Sequence, residues 1–102
     1  MKRFDISSDF LPTTYLVQVG GSFSSYSEWV HSKGVNIDLE FNGERGLCWK
    51  DESCILIYLP RKCKSVLSHE IFHAVKYTEE HTSCNDEEFG AMCTEFLASK
   101  LL

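Results

Sequence analysis

The sequence predicts a single α+β domain: a helix near the N-terminus, a small mixed or antiparallel sheet, and two C-terminal helices packed on it. Three observations lead there. Short segments rich in strand formers fill the chain before Pro60. After it, apolar residues recur at helical spacing. A length of 102 residues suits one core and leaves little room for a second. With 43% hydrophobic residues, among them 7 Phe, 4 Tyr and 2 Trp, the chain can fill that core, which argues against disorder. In so short a chain the core is thin, so a metal, a partner or a second subunit has stability to add.

Taken in order, residues 1–13 read as a lead-in. Residues 13–19 form a strand through Thr14, Tyr15, Val17 and Val19, stopped by Gly20-Gly21. Phe23, Tyr26, Trp29 and Val30 recur at spacings of three and four, which predicts a helix ending near Gly34. In residues 35–41, Val35, Ile37, Leu39 and Phe41 alternate with polar residues, the pattern of a half-buried strand, and Asn42-Gly43 makes the turn after it. Residues 45–50 and 54–59 read as two strands about Asp51-Glu52-Ser53, with Gly46 marking a bulge. The second of these is apolar almost throughout, so both its faces are expected to be covered, and Pro60 ends it. A helix over 66–80 follows, with Ser65 as its cap and Leu67, Ile71, Ala74, Val75 and Thr78 inward. Glu79 and Glu80 sit badly at its C-terminus, which implies an early end or a cation nearby. The last helix runs from residue 86 to 97 or beyond, with Phe89, Met92, Cys93, Phe96 and Leu97 inward.

The longest purely apolar run, residues 55–59, is far below the roughly 20 residues of a membrane helix, so no membrane association is expected. The N-terminal basic residues have no apolar run behind them and do not read as a secretory signal. A net charge of −5 gives no reason to expect nucleic acid as a partner. Five cysteines without a CxxC pair fit reduced thiols in a cytoplasmic compartment, although a Cys48–Cys54 bridge across the hairpin stays open.

The decisive segment is His69-Glu70-Ile71-Phe72-His73. Two histidines four apart on a helix stand one above the other, about 40° apart around the axis, so both rings can reach one ion. Glu70 lies about 60° from His73 and can approach a water on that ion without being a ligand. Zinc suits such a nitrogen-rich site, and the segment is the HExxH signature. Ordinary residue frequencies put a chance occurrence in such a chain on the order of 0.3%.

A catalytic zinc usually has three protein ligands. Measured from Phe89 on the last helix, Met92 lies at about −60°, Phe96 at −20° and Cys93 at +40°. Glu88 then falls at about −100°, on the edge of the apolar stripe, and is the preferred third ligand; Glu87 at about 160° points away. Glu95, at about −120°, and His81, should the motif helix end early, compete for the role. Asn85 as a cap would instead use Glu88 in a reciprocal capping box. Tyr77, one turn beyond His73, is placed to donate a hydrogen bond at the site, and Asp86 or Glu95 to orient a ligand histidine.

With these residues the chain resembles the small zincin metallopeptidases whose third ligand is glutamate, the gluzincin arrangement, and in detail compact phage-encoded proteins of that kind. Those have an apolar strand, a helix with an HExFHA-like motif, and a Glu-x-x-Ala-aromatic segment. The matching pieces are residues 54–59, His69-Glu70-Ile71-Phe72-His73-Ala74, and Glu88-Phe89-Gly90-Ala91-Met92. The likeness covers about residues 44–98. Met92 stands where such proteins often carry tyrosine, so that hydroxyl is absent here. The resemblance implies a minimal zincin-like domain that hydrolyses peptide bonds of a protein or peptide substrate. His69, His73 and Glu88 would hold Zn²⁺, and Glu70 would serve as general base, in the host cytoplasm if the chain is phage-encoded. The alternative is a non-catalytic, zinc-stabilised protein-binding module of the same descent. The strand ending at Tyr58-Leu59 would border the cleft, where an exposed edge can pair with an extended peptide.

Overall fold

The computed structural model describes residues 1–38 and 40–102. Four strands, β1 (Lys2–Ser8), β2 (Leu11–Val19), β3 (Leu47–Lys50) and β4 (Cys54–Leu59), form one mixed sheet in the order β1-β2-β4-β3. β1 pairs antiparallel with β2, β2 parallel with β4, and β3 antiparallel with β4. Helix α1 (Phe23–Ser32) covers one face; α2 (Lys64–Thr82) and α3 (Glu87–Leu101) cover the other. The α+β expectation is met, with a mixed sheet.

The strand period of two distributes the core. Along β4, Ile55, Ile57 and Leu59 point into a cluster with Tyr15, Val17, Leu67, Ile71, Cys93 and Leu97. Leu56 and Tyr58 point the other way, against Tyr26 and Val30 of α1. β4 is therefore covered on both faces, as its continuous apolar run required. Cys48 packs on the first side and Cys54 on the second, and both are free thiols, so the hairpin bridge does not form.

Buried polar groups are paired where they cross layers. The Tyr15 hydroxyl lies 2.7 Å from Thr78 Oγ1, which donates to the Ala74 carbonyl, pinning α2 to β2. On the other face Tyr26 donates to the Leu16 carbonyl and Tyr58 to the Gly21 carbonyl, both at 2.7 Å.

Four expectations need correction. The lead-in contains β1, an edge strand whose Phe4 and Ile6 alone face the core. Residues 35–38, 40 and 41 are irregular: Val35, Ile37 and Phe41 do pack beneath α1, but burial at alternate positions did not come with a strand partner. Leu39 lies outside the described residues. β4 is no rim strand, because β2 and β3 occupy both its edges. And α2 starts at Lys64 with Cys63 at its N-cap and runs on to Thr82, ended by Ser83 in the left-handed conformation. The cations that tolerate its acidic end are present: Lys50 pairs with Glu80, and Lys76 with Glu79 at 3.8 Å. No helix among the described residues is long and apolar enough to cross a membrane.

Candidate metal centre

α2 lies across the sheet with Leu67, Ile71, Ala74 and Val75 buried. Helical geometry then turns His69, His73 and Glu70 toward the β3 edge. The outcome is an open cleft of about 560 Å³ between α2 and residues 45–48, lined by His69, Glu70, His73 and Tyr77 on the helix side.

Within it, Nε2 of His69 and Nε2 of His73 stand 3.1 Å apart. Two nitrogens bound to one tetrahedral zinc at about 2.0–2.1 Å would stand roughly 3.3 Å apart, so the spacing suits a shared ion. A Glu70 carboxylate oxygen completes a group whose members all lie within 4.8 Å of one another. Glu70 is 5% exposed. Desolvation raises its pKa above the ordinary carboxylate value, and the neighbouring His69 and His73 oppose that rise. A carboxylate moved toward neutrality is better matched to taking and returning a proton.

The opposite wall explains how Glu70 fits. A Cβ at position 46 would lie 2.8 Å from Glu70 Oε2 and 2.8 Å from Val66 Cγ1, so only glycine leaves room for the carboxylate in this position. In the sequence Gly46 suggested merely a bulge; a close approach to a helix twenty-odd residues later leaves no local signature. Cys48, beside it, is half-buried, and desolvation pushes its thiol pKa far up, with Glu70 adding to the rise. Tyr77 lines the cleft near the Lys50 ammonium, 5.6 Å from its ring centre. Burial raises its pKa, so the phenol stays protonated at neutral pH and able to donate.

The structure brings His69, Glu70, His73 and Tyr77 to one cleft but does not bring Glu88 there. The residues of α3 that are buried are Cys93, Leu97 and Leu101, while Met92 is 41% exposed. Together with Gly90, which meets Glu79 and Val75 of α2, they centre the inward face at about +80° on the scale used above. The apolar stripe is thus rotated from the one expected. Glu88 points nearly opposite to it, and Glu95 about 160° away. Glu88 is exposed, and its backbone N–H donates to Asp86 Oδ1, so Asp86 rather than Asn85 caps the helix. α3 also lies against the flank of α2 that carries Val75 and Glu79, about 120° around from the imidazoles. Glu87 borders that far flank beside Lys76. His81 is turned toward the sheet, its Nδ1 3.3 Å from Thr13 Oγ1.

No protein-family model matches the chain, and neither a curated protein nor a solved structure shows significant similarity to it.

Proposed function

We propose that this domain is a zinc-dependent peptidase of the zincin kind, working on protein or peptide substrates in the cytoplasm. The observation that carries the reading is the pair of Nε2 atoms 3.1 Å apart beside the buried Glu70 carboxylate, at the mouth of an open cleft. His69 and His73 would hold the ion. When bound, zinc would supply Lewis acidity, lowering the pKa of a water and polarising a carbonyl. Glu70 accepts the water proton and delivers it to the leaving nitrogen. The burial that raises its pKa above the ordinary carboxylate value favours holding that proton until it is delivered. Tyr77, protonated and in the same cleft, donates a hydrogen bond to the substrate carbonyl region. The third-ligand role implied for Glu88 forms no part of this reading.

Zinc content and cleavage of an unstructured protein, measured on the wild type and Glu70→Gln, test it. The expected result is that Glu70→Gln keeps its zinc while cleavage falls by about 10²–10⁴-fold; full activity in that variant overturns the assigned base.

A second reading has its own support: the Glu70 carboxylate belongs to the same group as the imidazoles, whereas no α3 carboxylate does among the described residues. In that reading Glu70 is itself a ligand in a non-catalytic, zinc-stabilised binding module. Glu70→Gln would then lose zinc, and zinc would raise the melting temperature without any cleavage.

A further inference from the structure

We propose that the cleft continues, toward the start of α2, into a subsite for a peptide carboxylate; the proposal rests on the peptidase reading and adds its substrate preference. A second depression of about 420 Å³ is lined by Arg45, Arg61 and Lys62, and it shares Arg45 and Val66 with the metal cleft, so the two adjoin there. The only carboxylate among its lining residues is Glu44, which accepts the Asn42 N–H at 2.7 Å.

Three cations in one hollow stand out in a chain with 10 Lys and Arg against 15 Asp and Glu. All three are exposed. The ion pairs among the described residues use Lys33, Lys50 and Lys76, so none of these three is neutralised by a partner. Arg45 is held over the hollow by Nη2 lying 3.6 Å from Cys63 Sγ. An extended peptide crossing His69 and His73 and passing Val66 would carry its next residues into this field. A carboxylate there gains from guanidinium geometry as well as charge. The acidic remainder of the protein is screened beyond about 10 Å at ordinary salt, so the local sign governs. The carboxylate can come from an acidic side chain or from a free peptide C-terminus.

Fluorescence anisotropy on zinc-loaded Glu70→Gln tests this without turnover. The probes are labelled eight-residue peptides of randomised sequence in three pools: Glu-Glu block with amidated C-terminus, Gln-Gln block amidated, and Gln-Gln block with free C-terminus. At least one carboxylate-bearing pool is expected to bind about fivefold or more tightly than the amidated Gln-Gln pool at low salt. The first pool reports a side-chain carboxylate and the third a terminal one. Adding Arg45→Gln, Arg61→Gln and Lys62→Gln together should abolish the difference, while Lys33→Gln with Lys100→Gln should keep it. Equal binding of all pools overturns the proposal, as does a preference that survives the triple substitution. Wild-type cleavage of an unstructured protein is followed in parallel. A preference that persists without cleavage upholds the subsite and counts against the peptidase reading alone.

Discussion

The two flanks of α2 each hold a glutamate against a glycine, and they have opposite fates. On one flank Glu70 Oε2 would lie 2.8 Å from a Cβ at Gly46; on the other, Glu79 Oε1 would lie 2.9 Å from a Cβ at Gly90. Glu79 sits between two helices with the Lys76 ammonium 3.8 Å away, a carboxylate that packs and is paired. Glu70 has no ion-pair partner among Lys and Arg of the described residues, only two imidazoles, and it faces an open cleft. Burial alone does not make a carboxylate reactive. Burial without a permanent counter-charge, beside groups that can hold a cation, is what the proposed proton-transfer role asks of Glu70.

Substituting the two glycines separates the flanks most sharply. Gly46→Ala forces the Glu70 carboxylate and the stiff Val66 side chain aside together. It is expected to cut peptide cleavage by tenfold or more and to cost about 1–3 kcal/mol in denaturant unfolding. Gly90→Ala meets only the far end of a flexible side chain, and alanine is favoured over glycine in a helix by roughly 1 kcal/mol. Its stability should stay level or rise, with cleavage unchanged. Equal effects at the two positions would erase the distinction.

Less of the site than of the motif was legible in the sequence, and the reasons are physical. Residues 54–59 and the HExxH helix could be read because continuous burial and a fixed i, i+4 spacing are local properties. Glu88 could not be placed, because the inward phase of α3 is decided by what it meets. Phe89, Met92, Cys93, Phe96 and Leu97 suggested one stripe; packing buries Cys93 and Leu97 together with Leu101, keeps Phe89 and Phe96 at the edge and leaves Met92 exposed, with Gly90 admitting Glu79. In the same way Val35, Ile37 and Phe41 alternate because they pack on the core, Val35 buried and the other two partly so, while a ladder partner is a property of the whole sheet. β1 offered only Phe4 and Ile6 as signal, since its outer edge and other face are solvated.

A smaller effect sharpens the contrast through pH. The Glu70 carboxyl is raised in the folded state, so in the metal-free protein the folded state binds its proton more tightly than the unfolded chain does. That contribution to stability is present at low pH and is lost as pH rises above the unfolded value of about 4.3 and through the folded one. Glu70→Gln lacks this loss. The melting-temperature difference, variant minus wild type, should therefore grow as pH rises above about 4.3, and a difference that stays flat or shrinks would contradict the raised carboxyl. The smallest effect concerns thiols. The Ser65 hydroxyl, followed by the Val66 N–H, lowers the pKa of Cys63, while desolvation raises those of Cys48 and Cys93. Alkylation followed by peptide mapping at neutral pH should modify Cys63 about tenfold or more ahead of the other two.

The most direct measurement is zinc stoichiometry by native mass spectrometry on the wild type and on His69→Ala/His73→Ala, with folding of both checked by circular dichroism. One zinc per wild-type chain and none on the folded double variant is the expected result. A double variant that retains the same single zinc, or a wild type that takes up none from excess metal, would contradict the shared-ion site.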